Sequence, residues 1–126
     1  MFGPLRSSVG IIYRDGKFLI VERNDGRGLC LPGGINSRGE SEASGLVREV
    51  REETGLTVTE TTFEMKYFSN TDVPCNISVF RVKAIGELKS SWEGSPQWLT
   101  LAEIEPRMIE SQRRVLELMK KIASAG

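Results

Sequence analysis

Gly34-Ile35-Asn36-Ser37-Arg38-Gly39-Glu40-Ser41-Glu42-Ala43-Ser44-Gly45-Leu46-Val47-Arg48-Glu49-Val50-Arg51-Glu52-Glu53-Thr54-Gly55-Leu56 is the stretch on which the fold turns. Ser41 to Thr54 reads as a helix, with Ser41 able to cap its start and Gly55 supplying a left-handed stop. Ala43, Leu46, Val47 and Val50 recur at i, i+3, i+4 and i+7, which predicts one apolar stripe facing a core. On the other side Glu49, Glu52 and Glu53 share an arc about 100° wide. Like charges at that spacing destabilise a helix by roughly 0.2–0.5 kcal/mol per pair, and a bound divalent cation reverses the sign. The bland alternative is a solvated acidic face, with Arg48 pairing to Glu52 at i+4.

Outward from the helix, Leu29-Cys30-Leu31 reads as a short strand stopped by Pro32-Gly33-Gly34, a pair of glycines that lets backbone approach a ligand closely. Upstream, Ser8–Tyr13 and Lys17–Glu22 read as strands joined by the hairpin turn Arg14-Asp15-Gly16-Lys17. Downstream, Thr57–Thr62, Phe63–Ser69, Asn76–Ala84 and Gln97–Thr100 read as strands, and Leu101–Ile104 as a helical turn. Arg107–Ala123 reads as a second amphipathic helix, with Ile109, Val115, Leu116, Met119 and Ile122 inward. One domain over residues 1–126, α+β or a layered α/β/α sandwich, is the expected architecture.

Composition narrows the chemistry. Lys plus Arg and Asp plus Glu stand at 17 each, which argues against a protein built to grip nucleic acid. Cys30 and Cys75 fit no metal spacing and read as buried thiols of a reducing cytoplasm. The opening Met-Phe-Gly-Pro-Leu-Arg predicts no signal peptide, and no apolar stretch approaches the ~18 residues a membrane span needs. The absence of any histidine removes imidazole-based nucleophiles and His-ligated zinc. Carboxylates remain, and their hard oxygens favour Mg²⁺ or Mn²⁺.

Gly34, Glu40, Arg48-Glu49-Val50, Glu52-Glu53 and Gly55-Leu56 together resemble the Nudix box, G-x5-E-x7-R-E-U-x-E-E-x-G-U with U aliphatic, at every specified position. Weaker likeness extends over Leu19–Arg23, Leu31–Gly34 and Gln97-Trp98-Leu99. The resemblance implies an α/β fold, an α/β/α sandwich with a mixed sheet and a loop–helix–loop metal site. It further implies that Glu49, Glu52 and Glu53 bind Mg²⁺, with Mn²⁺ as substitute, and that the Gly33 carbonyl is a ligand. Arg48 steadies the glutamates, Glu40 braces the loop, and Gly34 and Gly55 shape it. Asn36, Ser37 and Gly45 depart from common usage in the family at unspecified positions, and an exposed Gly45 costs about 1 kcal/mol against Ala.

Glu93, in the loop Ser91-Trp92-Glu93-Gly94-Ser95-Pro96, resembles the late glutamate that MutT-like members use as an extra ligand or base; a solvated loop glutamate is the alternative. Arg23 resembles the family's phosphate-contacting arginine, against a surface ion pair. Trp92, Tyr67, Phe68 and Phe80 are candidates to stack on a base, with core packing the expected fate of Phe80 and Phe68. The implied reaction is hydrolysis of a diphosphate by water, with Glu49 or Glu93 as base. A (d)NTP pyrophosphohydrolase is the first reading of substrate, ADP-ribose or another nucleotide sugar the second, and a nucleotide sensor without turnover the third. The expected partner is a small nucleotide, met by a monomer or homodimer, with neither membrane nor nucleic acid.

Overall fold

The computed structural model describes residues 3–89 and 94–125. Along the chain run β1 (Leu5–Ile11), β2 (Tyr13–Arg14), β3 (Lys17–Arg23), β4 (Leu29–Cys30), β5 (Gly33–Ile35), α1 (Glu42–Thr54), β6 (Thr57–Ser69), β7 (Cys75–Ile85), β8 (Gly94–Leu99), α2 (Leu101–Ile104) and α3 (Leu116–Ala125). Asp15 (φ 51°) and Gly16 (φ 80°) close the β2–β3 hairpin, the two positive φ values that a tight two-residue turn demands.

One sheet has the order β5-β1-β7-β6 and is mixed, since β1 and β7 run parallel while β5 and β6 are antiparallel to their neighbours. The other is built on β3, which pairs with β2, β4 and β8. The strand period of two sends neighbouring residues into different cores. Phe18, Ile20, Ile77 and Val79 join Val115, Leu116, Met119 and Ile122 in one. Leu19, Phe80 and Val82 join Leu46 and Val50 in the other. Helix α1 thus covers one face and α3 the opposite one, the expected α/β/α layering. Gly10 makes the first packing close: a Cβ there would stand 3.0 Å from Val82 and 3.5 Å from Leu46.

Several expectations are corrected. The strand Leu29-Cys30 does stop ahead of Pro32, as expected, but the two glycines that follow begin another: Gly33–Ile35 is itself β5, and Gly33 pairs with Val9. The two runs Thr57–Thr62 and Phe63–Ser69 are one strand, because irregularities between Val58/Glu60 and Phe63/Met65 absorb the breaks in alternation. Val47 lies outside the helix stripe, 41% exposed. Arg107–Ala123 is not one helix: tight 3₁₀ turns at Glu105–Arg107 and Glu110–Val115 precede α3. Between them Met108 and Ile109 are extended, and the Ile109 N–H donates to Leu29 O at 2.9 Å. Pairing to a strand overrides the helical period there. Among the described residues, no helix is long and apolar enough to cross a membrane.

Candidate active site

Arg48 is the hub of the acidic face of α1. Its Nε and Nη2 donate to the two oxygens of Glu40 at 2.9 and 3.0 Å, a two-pronged fork. Its Nη1 donates to Glu49 at 2.9 Å and to Glu52 at 3.3 Å. The expected i+4 pair with Glu52 is therefore present, but it is the longest of the set. Glu40 also accepts the Ser37 N–H at 2.9 Å, so it braces its own loop. The Arg48 guanidinium first, and that N–H second, hold the Glu40 carboxyl down at about 2. Reciprocally, Glu40 first and Glu49 second raise Arg48 above the usual arginine value.

Beneath this hub lie the two glycines. The Gly33 N–H donates to Glu53 Oε1 at 2.7 Å, and Glu53 is buried. Gly33 has φ 149°, and a side chain there would collide with the backbone of Ser8 and Val9. A Cβ on Gly34 would come within 2.8–3.0 Å of the Glu49 carboxylate. Gly33 is thus required by its close approach to a strand, whereas at Gly34 a side chain would have to push the Glu49 carboxylate aside. Gly55 stops α1 at φ 84° with its N–H on Arg51 O, as expected.

Gly45 is buried rather than exposed, which overturns the expected gain from alanine. A Cβ there would run into the Asn36 amide and the Glu40 carboxylate. Asn36 and Gly45, two of the three residues that depart from family usage here, are therefore a matched pair, the amide filling the space of the missing methyl. Asn36 Oδ1 accepts from Ser8 Oγ at 3.0 Å, while Nδ2 has no partner among the described residues. Arg6 escaped the sequence reading because the strand was started at Ser8, three residues after its true start at Leu5. Carrying the period of two back to Leu5 puts Arg6, Ser8 and Gly10 on the α1 face.

Gly33, Gly34 and Glu53 form one wall of a cleft of about 250 Å³ that reaches Ser111 and Gln112. Gln112, buried, accepts the Leu31 N–H on Oε1 at 2.7 Å; nothing in its sequence setting distinguished it. Arg23 lines the cleft and is forked onto Asp25, with contacts of 3.1, 3.1 and 2.7 Å, the surface ion pair given as the alternative reading. Tyr67 is core rather than a stacking surface: its hydroxyl donates to Ser111 O at 2.6 Å, and burial pushes its pKa up to about 12. Phe80 is buried as expected, but Phe68 is half exposed and belongs to neither core. Cys75 is buried, and burial pushes the partly exposed Cys30 thiol up to about 12, far from a thiolate nucleophile. Glu93 and Trp92 lie outside the described residues.

The donor set suits a hard divalent cation. Glu40, Glu49 and Glu52 gather against the guanidinium of Arg48, and Glu53, one turn on from Glu49, is bound to the Gly33 N–H, so the carboxylates outnumber the guanidinium they share. In the arrangement described, Arg48 draws Glu49 and Glu52, and the Gly33 N–H draws Glu53. Among the described residues no three acidic or thiol side chains are gathered into a ready-made cage. The match is therefore one of chemistry, oxygen donors on one helix face beside the two glycines that open β5.

The comparisons with known proteins agree with this geometry. A family model described as NUDIX domain matches residues 4–119. The chain is 37% identical over 123 residues to a MutT-like protein of Streptomyces ambofaciens, covering 95% of this chain and 78% of the relative. A 50-residue stretch is 46% identical to an ADP-ribose pyrophosphatase of Methanocaldococcus jannaschii, over 37% of this chain and 30% of that protein. The solution structure of the E. coli ORF135 protein superposes with a TM-score of 0.82 at 24% identity, covering 98% of this chain and 94% of that one. Family match, relative and fold meet on the stretch that carries the Arg48 hub: the chain belongs to the NUDIX family and is a Nudix hydrolase.

Proposed function

We propose that the chain is a (d)NTP pyrophosphohydrolase working with Mg²⁺, with Mn²⁺ as substitute. The observation that carries this reading is the position of the cleft, which adjoins Gly33, Gly34 and Glu53, so that a nucleotide seated in it brings its phosphates to the carboxylate face of α1. Likeness to a MutT-like protein supports the same choice.

Glu49, Glu52 and Glu53, with the Gly33 carbonyl and Glu93 as further oxygen donors, would hold the metal. When bound, it neutralises the diphosphate and acts as Lewis acid. The chain's own part is to orient and to accept a proton. Water oxygen bonds to phosphorus, the anhydride P–O bond breaks, pyrophosphate leaves, and the proton passes to a carboxylate, Glu49 or Glu93. Arg48 holds Glu49 in place; Arg23, at the cleft, exchanges Asp25 for a phosphate oxygen. Residues 1–126 act as one unit, monomer or homodimer, on a small nucleotide in the cytoplasm, without nucleic acid or membrane.

A second reading, hydrolysis of ADP-ribose or a nucleotide sugar, is favoured by the local 46% identity to the ADP-ribose pyrophosphatase. A panel of nucleotides with Mg²⁺, read for pyrophosphate against monophosphate esters, decides. Pyrophosphate from a (d)NTP supports the first reading, AMP with ribose 5-phosphate from ADP-ribose supports the second, and binding without turnover indicates a sensor.

A further inference from the structure

We propose that Arg6, on β1, is a positioning residue for the carboxylate site, acting on the metal through Glu40 and Arg48. The loop from Ser37 to Gly39 is exposed and offers no apolar anchor, and Gly39 has φ 82°. What seats the loop on the sheet is polar. Arg6 Nη1 donates to the Glu42 carboxylate at 2.7 Å, and Nη2 donates to Glu40 O at 2.9 Å and Ser37 O at 3.3 Å. The Asn36 N–H donates to Arg6 O at 2.7 Å. Ser8, on the same face of β1, shares its single hydroxyl proton between Glu42 O at 2.9 Å and Asn36 Oδ1 at 3.0 Å.

One arginine therefore touches the loop at residues 36, 37, 40 and 42. Two of these contacts bracket the elements that aim the Glu40 carboxylate. Its backbone carbonyl is held by Arg6, and its side chain accepts from Ser37, whose own carbonyl Arg6 also holds. A shift of this loop moves the fork on Arg48, and with it the oxygens of Glu49 and Glu52 that Arg48 holds. The guanidinium presents its donors from two separate nitrogens in a fixed plane, so one side chain reaches two carbonyls and a carboxylate at once.

This inference rests on the hydrolase reading only for turnover; metal binding tests it separately. In metal-free protein titrated with Mn²⁺, Arg6→Gln is expected to weaken affinity by about tenfold, the scale of losses on removing groups that orient ligands. With nucleotide, kcat should fall by about tenfold or more while KM stays within about twofold, since a misaimed site loses rate before it loses substrate. In a Glu40→Gln background the effect of Arg6→Gln on Mn²⁺ affinity should shrink below about twofold, because the route through Glu40 is gone. Arg14→Gln is the matched control. Arg14 also donates to two carbonyls, Ala84 O at 2.8 Å and Gly86 O at 3.3 Å, without touching the loop; its loss should lower Tm and leave Mn²⁺ affinity alone.

Wild-type Mn²⁺ affinity in folded Arg6→Gln, or equal effects with and without Glu40, would overturn the proposal and leave Arg6 a structural residue. Should Arg6→Gln fail to fold, Glu42→Gln removes only the carboxylate that seats the guanidinium; a weakened Mn²⁺ affinity supports the proposal, and an unchanged one overturns it. A wild type that binds Mn²⁺ but hydrolyses no nucleotide sinks the hydrolase reading and leaves this test intact. A wild type that binds no Mn²⁺ sinks both.

Discussion

The two ends of the cleft are held by different physics. At one end Arg48 gathers Glu40, Glu49 and Glu52 in part-exposed ion pairs above Gly33 and Gly34. At the other, neutral groups are tied to backbone: Gln112 takes the Leu31 N–H, Tyr67 gives its hydroxyl to Ser111 O, and the Ile109 N–H goes to Leu29 O. Ion pairs that water still reaches are screened and contribute modestly to stability, so the charged end can be specialised for chemistry at small cost to the fold. A buried donor stripped of its acceptor costs about 1–3 kcal/mol, so the neutral end acts as scaffold. Changes at the first should register in activity and pH, and changes at the second in stability.

The sharpest break of that contrast is expected at Gly33, where the active end meets the strand. Gly33→Ala drives a methyl into the Ser8 and Val9 backbone at a positive φ, and should lower unfolding free energy by about 3 kcal/mol or more in urea. A loss below about 1 kcal/mol would show that β5 can shift away from β1. Next, Gln112→Ala should cost about 1–3 kcal/mol by denaturant unfolding while Mn²⁺ affinity stays unchanged. Weakened metal binding there would couple the two ends.

Acid separates them further. Glu40 is held at about 2 against an ordinary 4.5 by Arg48. A carboxyl depressed on folding adds stability that is complete above its unfolded value and disappears as pH falls through its folded one. Between about pH 4.5 and 2 the wild type should therefore lose stability more steeply than Glu40→Gln, followed by acid unfolding. Parallel curves in that window would mean that the fork contributes nothing to folding. The smallest effect belongs to Val47, 41% exposed on α1: Val47→Lys should change stability by about 0.5 kcal/mol or less, whereas a residue of the buried stripe would cost several times that.

The same contrast explains what could be read from the chain. Helix α1, its Ser41 cap, its Gly55 stop and its acidic face follow from contacts within a few residues, which spacing exposes. The fork from Arg48 to Glu40 spans eight positions, beyond the i+4 rule, and spacing did not expose it; resemblance to the family implied only that Arg48 steadies the glutamates and that Glu40 braces the loop. The far end was opaque. Residues 107–123 have a helical period, yet Met108 bridges Leu29 and Gln112 bonds Leu31, partners some eighty positions upstream. Arg6 was missed for the same reason, since its partners lie 31 to 36 positions away.

The central claim is that the carboxylates on α1 form a divalent-metal site. Titrating metal-free protein with Mn²⁺, and following free ion by its paramagnetic resonance, tests it directly. Wild type should bind Mn²⁺, and a folded Glu49→Gln, Glu52→Gln double variant should bind at least about tenfold more weakly; unchanged affinity in that variant would contradict the account.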